Sequence, residues 1–115
     1  MKKFQALLAV AALTVSSSLF AHGMMNGSHP QDGAMMMEPT DRVEVNFAKP
    51  MKLVSLKVVN SSGKPVSIDF KRSKEAGTSF KAMIPSLKPD AYKVHWKAMG
   101  GDGHMMKGSF VFMQH

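Results

Sequence analysis

Asp102-Gly103-His104 sets a carboxylate and an imidazole two residues apart, inside the glycine-flanked stretch Gly100-Gly101-Asp102-Gly103-His104. Side chains two apart in an extended segment point the same way. The neighbouring glycines let the backbone bend so that both groups face one ion. A second imidazole, His22, follows a stretch with the form of a cleavable export signal. Cleavage after Ala21 leaves His22 with a free α-amine, which closes a chelate ring with its own side chain. Two imidazoles, an amine and a carboxylate make a nitrogen-and-oxygen donor set, which in a tetragonal arrangement suits Cu(II). The set has no thiolate, which disfavours a blue-copper or zinc-finger site. An Asp-Gly-His triplet is also a common plain turn, so on residue types alone the metal site and the turn both stand.

The first 21 residues decide whether that amine exists. Met1-Lys2-Lys3 is a basic start, Phe4 to Val15 is a nearly unbroken apolar run, and Ser16 to Ala21 is rich in small residues. This order is that of a secretory signal peptide: the run is too short for a membrane span and no stop-transfer pattern follows. Leu19 is a poorer residue than Ala three positions before the cut. The expected mature chain is His22–His115, 94 residues in one domain, with room for one core. The protein has no Cys, so neither a disulfide nor a Cys-linked lipid holds it. Its 15 Lys and Arg outnumber 8 Asp and Glu, and removal of Lys2 and Lys3 leaves 13 basic residues. The lysines are spread singly at alternate positions, the pattern of a solvated sheet face, and neither nucleic acid nor a membrane is expected as a partner.

The segments that must position the site read as strands. Val43, Val45 and Phe47 alternate with polar neighbours, as do Leu56 and Val58, Val66, Ile68 and Phe70, Phe80, Ala82 and Ile84, Tyr92, Val94 and Trp96, and Phe110 and Phe112. Period two with one apolar face is the mark of half-buried antiparallel strands. Asn60-Ser61-Ser62-Gly63 and Lys74-Glu75-Ala76-Gly77 read as turns, and Pro85, Pro89 and Asp90 separate two strands. With one more strand near Met25–Ser28, the pattern predicts an all-β sandwich of about seven strands. Leu87 to Tyr92 has the form of a tyrosine corner, in which the Tyr hydroxyl bonds a backbone group upstream. Met24 to Thr40 is the least regular part.

Several blocks, in order, resemble the CopC-type periplasmic copper-resistance proteins, and they cover nearly the whole expected mature chain. His22 opens it. Ser28-His29-Pro30-Gln31-Asp32-Gly33 is similar to the family's Ser-x-Pro-x-x-Gly. Pro39 and Val43-Glu44-Val45-Asn46-Phe47, closed by Pro50, resemble its first long strand. Leu87-Lys88-Pro89-Asp90-Ala91-Tyr92-Lys93-Val94-His95-Trp96 resembles Leu-x-Pro-Gly-x-Tyr-x-Val-x-Trp, with Asp90 in place of Gly. Asp102-Gly103-His104 followed by Gly108-Ser109-Phe110-Val111-Phe112 resembles the family's ending. The resemblance implies an immunoglobulin-like Greek-key β-sandwich in the periplasm. It implies one Cu(II) per chain, held by the amine and imidazole of His22 with Asp102 and His104. It also implies binding and carrying without catalysis, with an inner-membrane copper transporter as partner and a monomeric, uninserted chain. Two departures stand out. Lys49 occupies a position where some members have an acidic residue, and Val58 to Phe70 lacks the Met and His of a mid-chain Cu(I) loop found in others.

Of the 12 Met residues, Met24, Met25, Met105 and Met106 lie near the expected ligands. Thioether sulfur favours Cu(I), but Met is equally an adaptable core and loop hydrophobe. His29, His95 and His115 are not expected as primary ligands; His95 lies opposite the apolar face, and His115 ends the chain. Two other classes compete with a copper carrier. One is a structural or adhesion sandwich without metal. The other is a copper-dependent oxidative enzyme, which needs an open coordination position and an exposed aromatic platform; Tyr92 and Trp96 on the core face leave little of one.

Overall fold

The computed structural model describes residues 25–115. The signal segment, His22 and Met24 lie outside the described residues. Seven strands are present: β1 (Met25–His29), β2 (Ala34–Met36), β3 (Arg42–Asn60), β4 (Pro65–Val66), β5 (Gly77–Met83), β6 (Asp90–Gly100) and β7 (Met105–Gln114). No helix occurs among the described residues.

The long strand β3 organises the sandwich because it changes partners midway. Arg42 to Asn46 lies between β1 and β5. Met51 to Asn60 pairs with β6, and its end pairs with β4. The ladder to β5 shifts register between Asn46 and Met51, where Ala48, Lys49 and Pro50 are exposed. Proline cannot donate to a ladder and sits where pairing lapses. A second irregularity between Leu53 and Ser55 explains a phase change in the sequence. Val43, Val45, Phe47, Met51 and Leu53 point inward at odd positions, whereas Leu56 and Val58 do so at even ones. One extra residue in a bulge reverses the faces. The two segments expected as separate strands are therefore one bent strand.

β6 and β7 form a ten-pair antiparallel hairpin, from Asp90↔Gln114 to Met99↔Met105. β2, absent from the sequence expectation, closes the outer edge in parallel with the end of β7. The buried side of β6, with Tyr92, Val94, Trp96 and Ala98, faces a core shared with Phe47, Leu53, Phe110 and Phe112. Phe47 meets Trp96 edge-on at 5.2 Å between ring centroids, and Tyr92 stacks on Phe112 at 5.5 Å, arrangements that aromatic pairs favour. Gln114 is buried too. Its Oε1 accepts from the Thr40 N–H at 3.0 Å and its Nε2 donates to the Glu38 carbonyl at 2.9 Å, which satisfies the amide. His115 is tied as well: its N–H donates to the Met36 carbonyl at 2.8 Å.

The strand expected through Val66, Ile68 and Phe70 is corrected. Only Pro65–Val66 pairs with β3, and an isolated bridge joins Asp69 to Met83. Val66, Ile68 and Phe70 still pack against the core, so the alternation reports burial without a continuous ladder. The Asn60 turn is as expected, with Asn60 Oδ1 accepting from the N–H groups of Ser62 and Lys64, both at 3.0 Å.

The tyrosine corner is present, with the Tyr92 hydroxyl donating to the Lys88 carbonyl at 2.6 Å. Removing that hydroxyl strands a partly buried carbonyl. Tyr92→Phe is expected to lower unfolding free energy by about 0.5–1.5 kcal/mol, read as a shifted urea midpoint with unchanged slope.

Candidate metal site

The hairpin of β6 and β7 carries Asp102 and His104 at its tip. The tip is closed by Gly103 N–H donating to the Gly100 carbonyl and Gly100 N–H to the His104 carbonyl, both at 3.0 Å. Gly103 takes φ +83°, a left-handed conformation that glycine adopts without steric cost. The Asp102 carboxylate folds over the tip: Oδ1 accepts from the His104 N–H at 3.0 Å, and Oδ2 lies 2.8 Å from His104 Nδ1. The two side chains keep 68% and 84% of their surface exposed. With Nδ1 engaged, His104 Nε2 is the ring nitrogen left to meet an ion. A carboxylate that fixes one imidazole nitrogen orients the other for a metal.

The pair also shifts both titrations. The hydrogen bond to His104 holds the Asp102 carboxyl below its ordinary 3.8, helped by the His104 backbone N–H. The same bond, reinforced by the carboxylate charge, raises His104 above 6.5. The raised imidazole supports the folded tip fully below 6.5, and that support fades as pH rises through its folded value. The lowered carboxyl contributes above 3.8, and its share is lost as pH falls through its folded value. Asp102→Asn removes the charge and is expected to bring His104 back down toward 6.5, read from the pH dependence of its ring protons by NMR.

An open groove of about 780 Å³ runs beside the tip, lined by Lys49, Pro50, Met51, Asp102, His104 and the first residues of β7. Two elements converge there: the hairpin tip and the point where β3 changes partners. Met105 and Met106 line this groove, whereas Met25 lies in another hollow with Ser28 and Asp32. Lys49, read from sequence as a departure from the resembled family, is thus in the same groove as the candidate ligands. Sequence reasoning missed the contribution of Pro50 and Met51; the proline was the signal that the strand bends there. Met99 lies directly opposite Met105 but lines a separate hollow with Lys52, Val54 and Arg72. His29 is partly buried opposite Glu44, and His95 is exposed on β6; neither lines the groove.

Among the described residues no group of three or more His, Cys, Asp or Glu side chains converges. The Asp102 carboxylate sits on the Nδ1 side of the ring, away from an ion at Nε2. The two side chains would serve one ion together only with their hydrogen bond opened, and would need further donors. Their chemistry, one oxygen and one nitrogen on a solvent-facing tip, fits a borderline divalent ion such as Cu(II).

These features define a small β-sandwich with an exposed, hydrogen-bonded carboxylate–imidazole pair on its longest hairpin. The sequence profile of the CopC domain matches residues 25–115. The chain belongs to the CopC family. It is 27% identical to copper resistance protein C of Xanthomonas campestris pv. juglandis over 112 residues, covering 90% of this chain and 87% of that protein. It is 26% identical to protein YobA of Escherichia coli K12 over 113 residues, covering 90% of each. Among solved structures, CopC from Methylosinus trichosporium OB3b superposes with a TM-score of 0.67 at 16% identity, covering 79% of this chain and 91% of that one. PcoC, a methionine-rich copper resistance protein from Escherichia coli, gives 0.65 at 21% identity, covering 80% and 97%. At such identities the structural likeness shows the fold, and the sandwich is that of CopC.

Proposed function

We propose that this protein is a periplasmic copper-binding protein that sequesters or carries Cu(II) and passes it to an inner-membrane copper transporter. The carrying observation is the adjacent, solvent-open Asp102–His104 pair on a CopC sandwich. The copper-resistance name of a relative spanning most of the chain supports the same reading. The remaining donors are assigned to the amine and imidazole of His22, freed by signal cleavage. Met25 opens β1 opposite Phe47, and Lys49 and Pro50 just beyond Phe47 line the groove. Three residues of chain reach at most about 11 Å from Met25, so His22 has the length to approach that side of the sandwich.

The protein acts as a monomeric carrier, and copper is its cargo. Among the described residues the exposed large hydrophobics are Met and Val side chains, while Tyr92 and Trp96 are 5% and 3% exposed. This favours a carrier over an oxidative enzyme working on an extended polymer. Met105, 48% exposed, and Met106 border the same groove and would supply soft, weaker contacts for copper arriving as Cu(I).

A melting curve separates this function from a purely structural sandwich. A ligand that binds only the folded state adds about 4 kcal/mol at a thousandfold excess over its Kd. Cu(II) is expected to raise the melting temperature of the mature protein by several degrees, with little effect on His104→Ala. An unchanged melting temperature would favour the structural module.

A further inference from the structure

The lysines that are scattered in sequence are gathered by the sheet. On the outer face of β3, β6 and β7, Ser55, Lys97 and Lys107 form one cross-strand row, and Lys57, His95 and Ser109 form the next. Lys93 stands in the row beyond, between Val59 and Val111. All these Lys residues and His95 are exposed. Ser55, Lys57, His95, Lys97, Lys107 and Ser109, together with Trp96 and Gly108, line a hollow of about 560 Å³.

Among the described residues no carboxylate forms an ion pair with these cations, although Asp32 stands at the edge of the face, its Oδ1 accepting from the Val111 N–H at 3.1 Å. Met51–Asn60, Ala91–Gly100 and Met105–Gln114 contain no Asp or Glu. Ion pairs among the described residues are confined to Arg42 with Asp41 and Glu44, and His104 with Asp102. Lys97 and Lys107 are direct cross-strand partners, and like charges placed opposite one another destabilise a sheet. A solvated face that served only solubility would intersperse both signs. The hollow is concave, and the one aromatic residue in its lining, Trp96, is buried and offers no wedge for a bilayer, which suits a protruding chain segment better than a flat membrane. Exposed Val111 and Met113 flank it on β7 and provide an apolar margin of the kind a protein partner covers.

We propose that this face is a docking surface for an acidic, carboxylate-bearing segment of a partner protein. Lys57, Lys97 and Lys107 pair with its carboxylates, His95 and the two serines supply hydrogen bonds, and Val111 and Met113 meet apolar side chains between the acids. Lys107 is three residues from His104, which ends the turn just before β7, so a docked partner sits beside the hairpin tip. The surface itself does not depend on what the tip binds.

The test uses a synthetic peptide of Glu, Asp and Leu residues, titrated into the copper-free mature protein and followed by amide NMR and fluorescence anisotropy. The amides of Lys57, His95, Lys97 and Lys107 are expected to shift. The joint variant Lys57→Thr, Lys97→Thr, Lys107→Thr is expected to weaken binding by about tenfold or more and to flatten its salt dependence. Lys64→Thr, Lys71→Thr, Lys81→Thr removes the same net charge elsewhere and is expected to change binding less than about threefold. The single variant Lys97→Thr, which keeps a strand-favouring residue, provides the same comparison if the triple variant melts early. Equal weakening by both triple variants would overturn the proposal, as would shifts mapping elsewhere. Lysine-dependent binding to vesicles of phosphatidylglycerol in phosphatidylcholine, without peptide binding, would assign the face to a membrane and overturn it too.

Discussion

Replacing His104 with Ala is expected to lower Cu(II) affinity by more than about 100-fold, whereas His115→Ala leaves it unchanged. Changing an outer-shell partner of a metal ligand typically costs about 10–100-fold, and His104 is assigned to the metal itself. The loss corresponds to about 2.8 kcal/mol, since about 1.4 kcal/mol is tenfold. Among the described residues His104 is the imidazole that lines the groove, and its Nε2 is free of the hydrogen bond to Asp102. Because the variant removes an exposed side chain, it is expected to leave the fold intact, and a melting curve without copper provides that control. Competition against a chelator of known affinity reads the effect. Acid weakens binding for the same reason: protons compete for the imidazoles and the amine. The Asp102 carboxylate raises His104 above 6.5, so this competition begins at a higher pH than for an isolated imidazole.

Gly108→Ala is expected to destabilise the sandwich by about 1–3 kcal/mol, the range for overpacking a filled core. A Cβ at this position would lie 2.5 Å from Trp96 Cζ2 and 2.7 Å from Cε2. Gly108 is the cross-strand partner of Trp96, so the indole lies over the bare backbone and is held from its other side by Phe47. Trp96 is 3% exposed and has little room to retreat. The indole Nε1 is buried without a hydrogen-bond partner, so its packing must hold against an unsatisfied donor. Trp96→Leu alone is expected to cost several kcal/mol. In that background Gly108→Ala should cost much less, and a double-mutant cycle by urea unfolding isolates the coupling between the two positions. Independent costs would show that the indole does not depend on the missing side chain.

The fold was legible wherever one face of a strand is buried. Tyr92, Val94, Trp96, Phe110 and Phe112 alternate in sequence and are buried in the structure. Where the ladder is irregular, alternation said less. Phe47 and Leu56 look like parts of two strands because a bulge and a bend lie between them, and neither has a side-chain period. Ile68 and Phe70 alternate because they cover the core edge, although no strand pairs with them continuously. β2 escaped notice because Ala34-Met35-Met36 is short and its pairing with β7 is set by distant residues. The candidate site was legible in part: Asp102 and His104 are marked by their spacing and glycines, and the structure adds the hydrogen bond between them. The groove was not, because Lys49 and Pro50 reach it only through the bend in β3. The cationic face was hidden for a related reason, since cross-strand register and not sequence proximity brings Lys57, Lys97 and Lys107 together.

The most direct measurement is a Cu(II) titration of mature protein beginning at His22, followed by electron paramagnetic resonance, beside the same protein acetylated at its terminal amine. The expected result is one tight equivalent with a tetragonal, nitrogen-rich spectrum that acetylation abolishes. Weak binding that acetylation leaves unchanged would contradict it and reduce the Asp102–His104 tip to a hydrogen-bonded turn.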